Sequence, residues 1–227
     1  MGVHDVNGPD DFERALAQCP LIAILRGVDP SEAVEVGDVL VDAGFTLIEV
    51  PLNSPEPLRS IAALAKRHGA GVLVGAGTVL TVRDVEAVRI AGGRLIVSPN
   101  TDTSVIRATA AAGLASLPGY ATPTEGLNAV AAGGHALKLF PAEASSPSVL
   151  RAHLTVLPAG MRVLVVGGVS AGTMKPWVEA GAAGFGLGSA LYQKHKALKD
   201  IAETARQVVS VFRELRGLSK RSIERTG

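Results

Sequence analysis

Two ionisable residues sit inside apolar runs of this chain. Lys138 lies in Ala136-Leu137-Lys138-Leu139-Phe140, and Glu49 lies in Leu47-Ile48-Glu49-Val50-Pro51. Strands covered on both faces are apolar throughout, and Lys is almost never fully buried without a partner or a task. A desolvated amine loses part of its preference for the protonated form. That makes Lys138 a candidate nucleophile toward a carbonyl carbon. The competing reading is a structural ion pair within the core, and the strand alone leaves both open.

The elements that must position these residues repeat. Endings of small residues plus glycine recur at Asp42-Ala43-Gly44, Ile90-Ala91-Gly92, Ala111-Ala112-Gly113, Ala131-Ala132-Gly133 and Glu179-Ala180-Gly181. Each follows helical periodicity and precedes a short apolar run, as expected of helix stops that need a left-handed backbone. Asp29-Pro30-Ser31-Glu32 and Thr122-Pro123-Thr124-Glu125 read as an N-cap, a proline at the first helical position and a capping-box glutamate. Ser54-Pro55 and Ser146-Pro147 read as simpler starts. Eight strands are expected: Leu21–Leu25, Thr46–Pro51, Val72–Ala76, Leu95–Ser98, Ala115–Pro118, Ala136–Phe140, Val163–Val166 and Gly184–Leu187.

Strands alternating with helices imply an α/β fold with a parallel sheet. Eight such units in 227 residues imply one closed (β/α)8 TIM barrel. A short extra helix is expected around Asp10–Gln18, a barrel core over residues 20–192 and a C-terminal helix over about 198–215. The polar tail, residues 220–227, reads as frayed. The alternative, an open doubly wound sheet, calls for a glycine-rich turn after the first strand. The turn here, Leu25-Arg26-Gly27-Val28-Asp29, has one glycine.

Active sites of such barrels lie at the C-terminal ends of the strands. Those ends carry Arg26, Glu49, Gly75-Ala76-Gly77-Thr78, Ser98-Pro99-Asn100, Pro118-Gly119-Tyr120, Lys138, Gly167-Gly168 and Gly188-Ser189. Alternation along the strands places Glu49 with Leu47, and Lys138 with Ala136, opposite aliphatic faces that suit the helix layer. Glu49 and Lys138 therefore point inward, from alternate strands that fill one layer. As a mere ion pair they would stabilise little, because desolvation roughly cancels attraction. Gly167, Gly168, Gly188 and Ser189 follow strands seven and eight, where barrel loops commonly bind phosphate; simple tight turns are the alternative. Arg26 can grip a carboxylate through parallel N–H groups. Thr78 could donate to the same group or cap a helix, with Thr81 a competing cap.

Composition narrows the partners. Lys plus Arg (22) nearly balances Asp plus Glu (21), and aromatics are 4%, so neither a nucleic-acid groove nor a polybasic membrane patch is expected. No run approaches a membrane span of roughly 20 apolar residues, and Met1-Gly2-Val3-His4-Asp5 lacks the features of a signal peptide. A cytoplasmic location is expected. Cys19 is the single cysteine, which excludes an intramolecular disulfide. The five histidines are scattered without metal-ligand spacing.

With these residues in view, residues 20–192 resemble a class I aldolase of the 2-keto-3-deoxy-6-phosphogluconate and 2-keto-4-hydroxyglutarate aldolase family. The resemblance rests on Ile24-Leu25-Arg26-Gly27, Ile48-Glu49-Val50-Pro51-Leu52-Asn53-Ser54-Pro55, Gly75-Ala76-Gly77-Thr78-Val79-Leu80, Lys138-Leu139-Phe140-Pro141-Ala142-Glu143 and Gly167-Gly168-Val169. It implies a homotrimer of barrels, no metal, no cofactor, and a small phosphorylated keto sugar acid as substrate. It implies that Lys138 forms the Schiff base, that Glu49 is the general acid/base, and that Arg26 and Thr78 hold the carboxylate. Gly168, Gly188 and Ser189 match its phosphate contacts. Two departures stand out. Asn53-Ser54 replaces an Arg-Thr pair, and Val166 replaces a threonine before the strand-seven glycines. Both are similar to the branch acting on 2-dehydro-3-deoxy-6-phosphogalactonate, whose substrate differs at C4. A phosphosugar isomerase or synthase without a covalent lysine, and a non-catalytic phospho-metabolite binding protein, are the rival classes.

Overall fold

The computed structural model describes residues 8–224. Strand and helix alternate from α1 (Gly8–Gln18) and β1 (Leu21–Ile24) through α2 (Ala33–Asp42), β2 (Leu47–Pro51), α3 (Pro57–His68), β3 (Leu73–Gly77), α4 (Val82–Ile90) and β4 (Leu95–Val97). The series continues with α5 (Thr103–Ala111), β5 (Ala115–Leu117), β6 (Gly119–Tyr120), α6 (Pro123–Ala131), β7 (Leu137–Leu139), α7 (Pro147–Leu154), β8 (Val163–Val166), α8 (Met174–Glu179), β9 (Gly184–Leu187) and α9 (Leu198–Glu224).

The strands form one parallel sheet in the order β5-β4-β3-β2-β1-β9-β8-β7-β6. Its two ends, β5 and β6, are consecutive in the chain and joined by Pro118, so the sheet closes on itself as a TIM-like barrel. The fifth expected strand, Ala115–Pro118, thus ends at Leu117, and a further short strand, β6, forms from Gly119–Tyr120 in the stretch expected as a loop. Proline has no N–H to offer a ladder, and the chain changes neighbours there: β5 pairs with β4, and β6 with β7. Gly119 is required at the crossing, because a Cβ would overlap the Pro99 carbonyl and stand 2.8 Å from Ser98 O.

Period-two alternation splits the apolar residues into two cores. Leu21, Ala23, Ile48, Val50, Leu137 and Leu139 face the helix layer. Ile22, Leu47, Leu73, Leu95, Ala136 and Leu164 fill the barrel interior, where Phe12, Ala15 and Leu16 of α1 plug the lower end. Thr46 fastens that plug by donating to Ala15 O at 2.8 Å, and Arg94 pairs with Asp11.

The element ends follow the local chemistry, with three shifts. All five glycine stops take positive φ, from +69° at Gly113 to +104° at Gly44 and Gly133. Thr122 and Glu125 form a capping box at α6, and Ser146 caps α7. The Asp29–Glu32 segment instead forms a turn, and α2 begins at Ala33 with no side-chain cap. Its Glu32 carboxylate accepts from Tyr192 Oη at 2.6 Å. Ser54 does not start α3, because its hydroxyl accepts the Gly27 N–H at 3.0 Å; α3 begins at Pro57. The last helix passes the expected end near Leu215 and runs to Glu224, so residues 220–224 are helical rather than frayed. Residues 225–227 lie outside the described residues.

Candidate active site

The C-terminal ends of the strands open into a cavity of about 420 Å³. Its lining includes Arg26, Glu49, Lys138, Phe140, Glu143, Val166, Gly167, Gly168, Gly188, Ser189 and Gln193. Seven of the eight candidates from sequence, all but Thr78, are therefore brought to one mouth. A second cavity of about 420 Å³ lies at the other end of the barrel, against Leu16, Arg162, Phe212 and Arg216. It holds neither of the buried ionisable strand residues.

Glu49 and Lys138 reach the mouth because strand alternation turns them inward beyond the Leu47 and Ala136 layer. Glu49 is 2% exposed and Lys138 is 6% exposed. The Lys138 Nζ lies 4.5 Å from the centroid of the Phe140 ring. Burial pushes the Lys138 amine below its usual range; the Glu49 charge opposes this and Arg26 adds to it. Burial pushes the Glu49 carboxyl above its usual range, against the pull of Lys138 and Arg26. Both groups are displaced toward neutrality, the amine toward a nucleophile and the carboxyl toward a proton donor.

A structural ion pair does not describe this arrangement. Among the described residues, Glu49 Oε2 is buried with no hydrogen-bond partner. The chain clears space for it: a Cβ on Gly77 would stand 2.7 Å from that oxygen. A buried, unsatisfied carboxylate oxygen beside a buried amine is destabilising on its own.

Arg26 stands exposed at the rim and donates through Nη1 to Asn53 Oδ1 at 2.8 Å. The Ser54 hydroxyl holds the next backbone amide, Gly27 N–H. The Asn53-Ser54 pair thus pins the arginine loop. Thr78 is half-buried, has a left-handed backbone with φ +56°, and is not in the cavity lining. It is not a helix cap either: Thr81 accepts from Asp84 N–H at 3.1 Å and forms the capping box of α4.

Across the mouth, Gly167 and Gly168 turn the chain with φ +116° and +59°, values that disfavour any side chain. A Cβ on Gly188 would meet open space, so that stretch of main chain faces the cavity bare. Gly188 O accepts from Leu191 and Tyr192 N–H, which opens a single helical turn with Ser189 at its start. Val166 brings methyl groups to the same mouth. Phe140, Glu143 and Gln193 are lining residues that sequence reasoning assigned no role. Phe140 and Glu143 carried a signal, their place in the Lys138–Glu143 segment, and Gln193 carried none. Among the described residues, no group of three or more His, Cys, Asp or Glu side chains is placed to hold a metal ion.

Comparison with known proteins gives the same picture. The profile of the family described as "Aldolase: KDPG and KHG aldolase" matches residues 12–207. The chain is 47% identical over 193 residues to the "Probable 2-dehydro-3-deoxy-6-phosphogalactonate aldolase" of Rhizobium meliloti (strain 1021), covering 85% of this chain and 91% of that protein. It is 44% identical over 195 residues to the 2-dehydro-3-deoxy-6-phosphogalactonate aldolase of Escherichia coli (strain K12), covering 86% and 95%. A solved structure described as "Native KDPGal structure" superposes with a TM-score of 0.87 at 42% identity, covering 88% of this chain and 97% of that one. With a family match spanning the whole barrel and a buried lysine and glutamate sharing its mouth, the chain belongs to the KDPG and KHG aldolase family.

Proposed function

We propose that this aldolase cleaves 2-dehydro-3-deoxy-6-phosphogalactonate to pyruvate and glyceraldehyde 3-phosphate through a Schiff base on Lys138. The observation that carries the reading is the Lys138–Glu49 pair: both buried in one cavity, both shifted toward neutrality, and Glu49 Oε2 without a hydrogen-bond partner among the described residues. The neutral amine attacks the C2 ketone. Water leaves with a proton from Glu49, and the resulting iminium draws electrons. Glu49, through a water, takes the C4 hydroxyl proton as C3–C4 breaks. Glyceraldehyde 3-phosphate departs, and the enamine on Lys138 is protonated at C3 and hydrolysed to pyruvate.

Orientation comes from the two ends of the cavity. Arg26 grips the carboxylate in this scheme, with Thr78, one residue beyond Gly77, as a second contact. Gly167, Gly168, Gly188 and Ser189 receive the phosphate. The two relatives at 44–47% identity, both named for 2-dehydro-3-deoxy-6-phosphogalactonate, support the galactonate substrate. Val166 supports it too, by presenting methyl groups instead of a hydroxyl to the mouth. The gluconate epimer and 4-hydroxy-2-oxoglutarate are the alternative substrates. A lactate dehydrogenase-coupled assay with both C4 epimers tests the choice. Faster pyruvate release from the galactonate is expected, and a preference for the gluconate contradicts it.

The same reading makes the enzyme a cytoplasmic homotrimer. Among the described residues, no helix is long and apolar enough to cross a membrane. Leu58, Leu80 and Val82 leave apolar side chains exposed around the start of α3 and α4, a surface suited to a second copy. Light scattering that returns a monomer mass at micromolar concentration counts against the trimer.

A further inference from the structure

Among the described residues lining the mouth, Glu143 is the charged group that the proposed reaction leaves without a task. It stands on a single 3-10 turn, Ala142–Ala144, just beyond β7. That turn is packed onto the glycine pair after β8. A Cβ on Gly167 would stand 2.9 Å from Ala142 N and overlap Glu143 Oε2, and one on Gly168 would stand 3.0 Å from Glu143 Cγ. The carboxylate therefore lies directly over the main chain of Gly167 and Gly168. It makes no hydrogen bond or ion pair with any described residue, and the residue is exposed. Nothing in its surroundings anchors it there.

We propose that Glu143 is an internal anionic competitor for the phosphate turn. Its carboxylate occupies the approach to Gly167 and Gly168 and shifts only far enough to stand beside a phosphoryl group that settles there. This inference rests on the reading that the glycine turn takes phosphate. Its consequence is weaker holding of phosphorylated ligands, and so faster release of the phosphorylated product. Two like charges at contact distance in a watery cleft lower an affinity by about fivefold. A residue that merely braced the turn would have the opposite effect, since its loss would loosen the site.

Amide NMR titration of the full chain with inorganic phosphate separates these outcomes, comparing wild type with Glu143→Gln and Glu143→Ala. The Gly167 and Gly168 amides are expected to shift in all three proteins, with the dissociation constant about fivefold lower in both variants. Equal or weaker phosphate binding in both variants overturns the competitor role. Absence of any shift at Gly167 and Gly168 in wild type overturns it as well, by removing the phosphate site. Pyruvate trapping on wild-type Lys138 is a separate readout: its failure counts against the Schiff-base reading and leaves the phosphate titration standing.

Discussion

At the scale of the residue, the chemistry depends on what surrounds Lys138 and Glu49 rather than on their identity alone. A surface lysine is charged and inert toward ketones; burial in the barrel mouth is what loosens the proton of Lys138. Glu49→Gln keeps the shape and removes the proton exchange, so turnover is expected to fall by about 10²- to 10⁴-fold. Phosphate affinity should barely change in that variant, and wild-type turnover would remove Glu49 from its role. Asn53 acts one step away, through Arg26. Asn53→Leu removes the acceptor at 2.8 Å and is expected to raise KM about fivefold while kcat holds, the loss of roughly one exposed hydrogen bond to a charged group. Asn53→Gln, which keeps a neutral amide acceptor, should restore KM; an unchanged KM in Asn53→Leu contradicts the positioning role. The inward direction of Glu49 and Lys138 was legible in the sequence because strand period is two. The Arg26–Asn53 contact was not, because it joins two loops 27 residues apart and loop conformation has no periodicity to read.

At the scale of the element, glycine and proline punctuate the barrel. The glycine stops could be read from sequence because a left-handed residue at a helix end has few chemical solutions. The extra strand after the fifth could not, although both causes of the break were visible as Pro118-Gly119. Whether a proline ends a strand or only interrupts it depends on the neighbours it meets, here Pro99 and Ser98. Gly119→Ala places a methyl group against those carbonyls and is expected to destabilise the fold by about 1–3 kcal/mol, read as a lower Tm. An unchanged Tm would mean that the crossing yields easily. The start of α3 was misplaced for a related reason. Ser54 looked like a cap, yet its hydroxyl is committed to Gly27, which lies far away in sequence.

At the scale of the whole molecule, two concentric cores and a helical plug hold the mouth open. The sequence separated these cores through alternation, but not the plug, since the amphipathic pattern of α1 does not say what its apolar side meets. Stability should fall in acid. His153 is buried with Nδ1 unpartnered among the described residues, and burial depresses its pKa below the usual 6.5. The folded state therefore binds fewer protons than the unfolded chain, and the stability present above about pH 6.5 is lost as pH falls toward the depressed value. His135 adds to this: burial lowers its pKa against the pull of Glu13, and its Nδ1 accepts the Ser116 N–H at 3.0 Å only when neutral. Between about pH 7.5 and 5, Tm should drop less in His153→Leu than in wild type; an equal drop contradicts the assignment. The central claim is tested most directly by adding borohydride to the enzyme with pyruvate and mapping the product by mass spectrometry. The account predicts one reduced adduct, on Lys138, which Lys138→Arg lacks. An unmodified Lys138 peptide in active enzyme would contradict it.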